Sequence, residues 1–347
     1  MTWLQSPAAA LPLGRPGRAL PLNGPGGAPP GKNKRKMRER INEYDYLKCV
    51  FITLMVVFHL AHFADRHLYA KDIVYTFHMP AFLILSGYLA NVAKDCRAMG
   101  RQLLWLFVPY AVMEAAYAVA TGFMDVRESI GQLSALSVAE AVALHPIGPY
   151  WYLHTLLLCL AAYWLAARLL RRAGPATLAL ALALALWLLA DVAGLIGMAN
   201  AMYFLAGAVA RQCRARLLSL TPPTWLAAAP LAILCADAAN LDKATVGGVA
   251  VTWLAFSLLL WLYPHIPPRA RRLSHFIGRN TLAILLFSPV FTMAVKALIP
   301  LFAFDPSATA FAAVATAVTL AGSLAVAWGM DRLGLSPWFC GGRLLKD

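Results

Sequence analysis

The chain has 347 residues, of which 61% are hydrophobic and 13% charged, whereas an ordinary soluble domain carries about 25% charged residues. That balance excludes a soluble globular protein, and the same hydrophobicity excludes disorder of the whole chain. The net charge of +14 does not mark a nucleic-acid binder, because half of it lies in residues 1–40, where eight Lys or Arg face the single acid Glu39.

In chain order, residues 1–42 read as a disordered, basic cytoplasmic tail. It is rich in Pro, Gly and Ala, lacks the uninterrupted apolar core of a cleavable signal peptide, and ends in KNKRKMRER just before the first apolar segment. A polybasic run beside a span is an anchor attracted to anionic lipid. It also lacks the interleaved aromatics that stack bases, so no nucleic-acid partner is expected. Apolar stretches then follow at about 46–64, 73–91, 102–122, 149–167, 175–193, 198–210, 225–240, 247–263, 280–299 and 308–330. Most are long enough to cross a bilayer, and the sixth is the shortest. They are continuous rather than alternating, which predicts helices and not barrel strands. The fold class expected is therefore all-α, a polytopic membrane bundle of about ten helices over residues 43–332, with a cytoplasmic C-terminal tail over 333–347.

Charge sets the orientation. With the N-terminus inside, the cytoplasmic loops and tail that follow hold 16 Lys or Arg, and the opposite loops hold four, Arg66, Lys71, Arg127 and Lys243. The positive-inside rule then predicts both termini in the cytoplasm. The six cysteines, at 49, 96, 159, 213, 235 and 340, show no ligand spacing, so neither a metal nor a disulfide is expected.

Ionisable side chains within spans are costly and so are functional candidates. Lys48 and His59 are eleven residues apart, which on a helix puts them within roughly 20° of one face and about 16 Å apart along the axis. His62 extends that stripe by a turn. His78, in YTFHMP, enters the second helix from the other side to a similar depth, and Glu114 and His154 reach the same slab by residue count. Ser86 sits below the histidines, and Gly87 in SGY allows close helix approach. Plainer readings stand beside these: a buried Glu114 satisfied by Tyr110 or Tyr117, and Trp151 with His154 as an interfacial aromatic belt. Chemically, a neutral imidazole whose tautomer is fixed can act as general base toward a hydroxyl. Lys48, Arg101 and Arg279 at helix ends could hold the phosphates of an anionic donor, if their helices are neighbours.

The stretches EYDYLKCVFITLMVVFHL, IVYTFHMPAFLILSGYL, GPYWYLHTLL and FIGRNTLAILL resemble, in that order, the membrane acyltransferase 3 family, over residues 43 to about 330. The resemblance implies about ten helices and transfer of an acyl group, commonly acetyl from acetyl-CoA, to a carbohydrate outside the bacterial inner (cytoplasmic) membrane. It places His59 as the catalytic histidine, with His78 of FHMP in support and Lys48 as its basic partner; the depth count, not the resemblance, adds Glu114 to the catalytic set. Arg279 and Asn280 of GRNTL join Arg101 on the acyl-CoA side, and Ser86, Trp151 and His154 on the substrate side. Expected partners are the carbohydrate acceptor, acyl-CoA and membrane lipid, with polysaccharide biosynthesis machinery also considered. The sequence departs from the family where members often carry a Tyr and then a His before Pro; here Leu285 and Ser288 precede Pro289. The chain also reads as the membrane part alone, with no appended hydrolase-like domain. Two alternatives share the composition: a glycan or lipid transporter or flippase using a His/Glu proton relay, and a non-catalytic scaffold of an export machine. The lack of a counterpart to FHMP and SGY after residue 200 counts against the repeat symmetry of a transporter.

Overall fold

The computed structural model describes residues 41–122 and 133–346, and among these no strand forms. The basic run at 32–40 and the stretch carrying Arg127 lie outside the described residues. The first helix, α1 (Asn42–His59), stops short of the expected 46–64 because the backbone turns extended at Leu60, and α2 (Ala61–Ala64) is a separate turn. His62 therefore leaves the stripe of Lys48 and His59. Its ring packs on Phe311 at 5.1 Å, and its Nδ1 lies 3.1 Å from Arg66 Nη1.

The next helix, α3 (Leu68–Leu89), begins five residues earlier than expected, so Pro80 falls inside it rather than near its start. A mid-helix proline frees the carbonyl four residues back. That carbonyl, of Thr76, accepts a hydrogen bond from the Thr252 hydroxyl at 3.2 Å, so the missing partner is supplied by a neighbouring helix, as an apolar surrounding demands. α4 (Cys96–Thr121) is capped by the Asp95 carboxylate, which accepts from Ala98 N at 2.7 Å. The expected external loop contains a helix, α5 (Ala135–Ala143), started by a Ser134/Ser137 capping box. A turn at Gly148, with φ of +61°, leads into α6 (Trp151–Leu169); a side chain there would also strike the Tyr117 ring.

α7 (Pro175–Trp187) unwinds into a π-turn at Leu188–Val192. It is followed by α8 (Met198–Gln212), the turn α9 (Leu217–Leu220), the short apolar α10 (Ala228–Cys235) and α11 (Val246–Leu262). The basic segment expected as a loop is a helix, α12 (Pro268–Arg279). It was hidden because its burial is one-sided: Ser274, Ile277 and Gly278 face inward at helical spacing and the arginines flank them, an amphipathic pattern that a search for continuous apolar runs passes over. α13 (Thr281–Ala294) runs on as a 3-10 stretch, Val295–Phe302, before α14 (Thr309–Arg332) and α15 (Ser336–Cys340).

Among the described residues, six stretches are long and apolar enough to cross a membrane: Cys96–Thr121, Ala135–Leu169, Pro175–Val192, Val246–His265, Thr281–Phe302 and Thr309–Arg332. The other expected spans fall short of that measure for local reasons. α1 carries Glu43, Asp45 and Lys48, α3 carries Lys71, Asp72 and His78, α8 has 15 residues, and α10 is shorter still.

Two glycine contacts fix the helices that matter for the site. Gly87 of α3 and Gly207 of α8 lie against each other's helix: a Cβ on Gly87 would collide with the Phe204 carbonyl, and one on Gly207 with the Ile84 carbonyl. Removing side chains at the crossing lets the two backbones touch, which is how apolar helices gain packing energy in a bilayer. Gly278 of α12 plays the same part against the backbone carbonyl of Asp45, bringing the end of α12 directly onto α1.

Candidate active site

The face of α1 expected to carry function does so at helical spacing. Lys48, Ile52 and Met55 line one cavity, and Met55 and His59 line the next. At the Lys48 end, Asp45 is fully buried between two cations, with Lys48 Nζ 2.7 Å from Oδ1 and Arg279 Nε 3.3 Å from Oδ2. The Gly278 contact sets this ion triad, because it seats the neighbouring Arg279 beside α1. Lys48 and Arg279 thus converge as expected, and Asp45 is the partner that the sequence reading overlooked.

The cavity above the triad takes in about 770 Å3, open solvent at its mouth included, and is also lined by Ser86, Tyr152 and Leu285. Ser86 Oγ and the Tyr152 hydroxyl are hydrogen-bonded at 2.8 Å. A side pocket of about 570 Å3 opens from Arg279 toward Gln102 on α4 and toward the C-terminal segment, with Arg343 and Lys346 in its wall. The C-terminal segment is strapped there. Asn280 donates to the Lys346 carbonyl at 3.0 Å and accepts from Lys346 N at 2.8 Å, and the Asp331 carboxylate accepts from Leu344 N and Leu345 N at 2.9 Å each. Burial in this pocket pushes the Lys346 ammonium down to about 8.

The basic set at this end is therefore Lys48, Arg279, Arg343 and Lys346. Arg101, expected to join it, is exposed on α4 and lines none of these cavities. The reason is angular: Gln102, one residue and about 100° further on, is the α4 side chain that faces the pocket. Asn280 sits where expected, with its amide engaged by the Lys346 backbone.

Beyond Met55, Met79 and Leu285, which line both the Lys48 cavity and the next space, lies a cleft with two arms. The arms take in about 1090 and 1610 Å3, open solvent included, and share His59, Tyr75, Pro149 and Trp151. His59 is exposed to this cleft at the end of α1. Its Nδ1 lies 2.6 Å from the Met55 carbonyl. A carbonyl can only accept, so Nδ1 carries a proton, and in the neutral form of the ring Nε2 is the basic nitrogen. His78 is fixed the same way, Nδ1 to the Val74 carbonyl at 2.7 Å, and its buried Nε2 has no hydrogen-bond partner among the described residues. Tyr75 packs beside both imidazoles, 6.2 Å from the His59 ring and 5.2 Å from the His78 ring.

The other two members of the expected slab lie elsewhere. Glu114 is buried and its Oε1 accepts from Ile147 N at 2.7 Å, and His154 Nε2 lies 3.2 Å from the Ala143 carbonyl. Neither lines the Lys48 cavity or the His59 cleft. Both hold the α5 segment onto α4 and α6. Tyr110, one of the partners considered for Glu114, instead donates to the Val142 carbonyl at 2.8 Å. Residue count along separate helices gave similar depth but no rotation about each axis, and rotation decides which groups meet. Trp151 lines both arms of the cleft. Ser288, which stands at the position of the absent His, is buried in the wall of the larger arm.

No curated protein and no solved structure matches this chain. A family model does: the acyltransferase 3 model, described as an acyltransferase domain, matches residues 41–328. That match takes in the Lys48 triad, both histidines and the helices that carry them. The chain, a multi-helix membrane protein, belongs to the acyltransferase 3 family and is an acyltransferase.

Proposed function

We propose that the protein transfers an acyl group, acetyl in the simplest case, from cytoplasmic acyl-CoA to a hydroxyl of a cell-envelope or extracellular glycan or its lipid-linked precursor. In this reading the six apolar stretches together with α1, α3, α8 and α10 form ten spans of the inner membrane of a bacterium, both ends inside, as the charge of the loops favours. The donor's phosphates rest on Lys48 and Arg279, flanked by Arg343 and Lys346 of the C-terminal strap. The thioester passes the apolar collar of Met55, Met79 and Leu285, and the acceptor sugar lies on Trp151 in the cleft.

The chemistry needs one base. His59 Nε2 takes the proton of the acceptor hydroxyl as its oxygen bonds to the thioester carbonyl carbon. The C–S bond then breaks, and the proton passes on to the thiolate that leaves, so the ring ends as it began. General-base assistance of this kind contributes about 10² to 10⁴ in rate. The observation that carries the proposal is the pair of cavities meeting at one collar on the face of α1, a basic one ending at Lys48 and a cleft holding His59. The apolar collar suits passage of an acyl arm better than a proton relay, and membership of an acyltransferase family favours the enzyme over a flippase. Mass analysis of surface glycans from cells with and without the protein tests this. Loss of one acyl mass in the deletion strain supports it, and unchanged glycan acylation with altered glycan export would return the function to transport.

A further inference from the structure

The cleft beside His59 has an unusual charge for its position. On the face opposite the basic loops, Lys and Arg are scarce: Arg66, Lys71, Arg127 and Lys243 are the four in the loops. Two of these four line the cleft, Lys243 in one arm and Lys71 in the other, and Lys296 from the 3-10 stretch after α13 joins Lys71. Asp242 is the one carboxylate lining either arm among the described residues, so the lining carries three cations and one anion, a net of +2. None of the three lysines lies within ion-pair distance of a carboxylate among the described residues. Two of them instead sit over rings of the shared wall, Lys71 at 5.4 Å from the Tyr75 centroid and Lys243 at 5.5 Å from that of Trp151. The positive-inside rule works against such placement, which makes convergence of three lysines on one cleft informative.

A second observation is independent of charge. In the Lys243 arm, Asn200 Oδ1 and His78 Nε2 are buried, on residues 7% and 2% exposed, and both lack a hydrogen-bond partner among the described residues. A buried polar atom without a partner is costly. These two accept hydrogen bonds, which the hydroxyl or amide N–H groups of a sugar can donate. An aromatic wall at Trp151, acceptors for hydroxyls and cations around the rim describe one class of ligand. From this, and resting on the acyltransferase reading above, we infer that the acceptor is an acidic saccharide, whose carboxylate or phosphate groups are held by Lys71, Lys243 and Lys296 while a hydroxyl of the sugar on Trp151 is presented to His59. Burial also lowers the Lys243 ammonium from its ordinary value, a cost that a bound anion would offset.

The test uses the full chain in nanodiscs of zwitterionic lipid and calorimetric titration with three probes. These are a glucuronic acid tetrasaccharide, the glucose tetrasaccharide of the same linkage, and farnesyl diphosphate glucose. The acidic tetrasaccharide or the diphosphate probe should bind about tenfold more tightly than the neutral one, the sum of three partly exposed ion pairs, with the advantage shrinking at high ionic strength. Preference for the tetrasaccharide locates the charge on the glycan, and preference for the diphosphate locates it on a lipid-linked precursor. The combined Lys71→Gln, Lys243→Gln and Lys296→Gln variant should lose the preference, and the combined Lys→Arg variant should keep it. Equal binding of all three probes, or a preference that survives the Gln variant, overturns the inference. CoA titrated into the same nanodiscs separates the two levels: CoA binding without anion preference sinks this inference alone, whereas anion preference without CoA binding supports it and sinks the donor assignment.

Discussion

Asp45 holds Lys48 and Arg279 together, and if these two cations take the donor as proposed, its removal should act in opposite directions on stability and on donor binding. Asp45→Asn keeps the side-chain volume and takes away the anion that lies 2.7 Å from Lys48 and 3.3 Å from Arg279. At an effective dielectric of 20 the two attractions are gross terms of about 6 and 5 kcal/mol. The net loss is far smaller, because Lys48 and Arg279 keep 16% and 25% of their side-chain exposure and water recovers part of it. Losing one member of a buried pair costs about 3–5 kcal/mol, so with partial exposure about 2–3 kcal/mol is expected here. On the proposed reading the acyl-CoA phosphates, in contrast, no longer compete with Asp45 for the same cations, so CoA should bind about tenfold more tightly, or about 1.4 kcal/mol. Thermal unfolding followed by tryptophan fluorescence, with and without CoA, reads both effects. The variant should melt lower than wild type when ligand-free and gain more from saturating CoA. A CoA-dependent gain equal to or below that of wild type would show that donor phosphates do not meet Lys48 and Arg279.

Three further outcomes follow from the packing. Gly207→Ala puts a methyl group against the Ile84 carbonyl, and overpacking of this kind costs about 1–3 kcal/mol; lower detergent-resistant yield should result, and wild-type yield would contradict the tight α3–α8 crossing. Met55→Trp enlarges a residue common to the Lys48 cavity and the His59 cleft, so titrated CoA should still bind while glycan acylation drops steeply, as a blocked path between the two requires; unimpaired acylation would place the acyl path elsewhere. Lys346, at about 8 when docked against 10.5 when released, binds fewer protons in the docked state between those values. Docking of the C-terminal strap therefore strengthens as pH rises from about 8 toward 10.5 and is weakest below about 8. A spin label at Arg343→Cys, in a background lacking Cys96 and Cys213, should lose mobility over that window, and constant mobility would show that Lys346 is not buried in the pocket.

Much of the site was legible because it lies on one helix. Lys48, Met55 and His59 share a face through spacing alone, and Gly87 in SGY announced a close helix crossing that the structure places against α8. Asp45, three residues before Lys48 in the same helix, could have been found by the same spacing rule. What spacing could not supply was the rotation of one helix against another. For that reason Glu114 and His154, expected beside the histidines, hold the α5 segment instead, and Arg101 was chosen over its neighbour Gln102. The strap formed by Asn280, Asp331 and the last residues joins segments 66 positions apart, a pairing that no local pattern encodes. The helix α12 was missed for a different reason, since its arginines broke every apolar run while its buried face kept a helical period.

On the proposed mechanism His59 Nε2 moves the proton between the two cavities, and His59→Gln removes that capacity while leaving the rest of the site in place. Glutamine keeps the size and hydrogen bonding of the ring but cannot take up a proton at neutral pH. Glycan acylation, measured by mass in cells expressing equal amounts of membrane-inserted wild type and variant, should fall by at least about 10²-fold, with titrated CoA still bound by the variant. Acylation close to wild type in the Gln variant would contradict the account and assign the chemistry to another group.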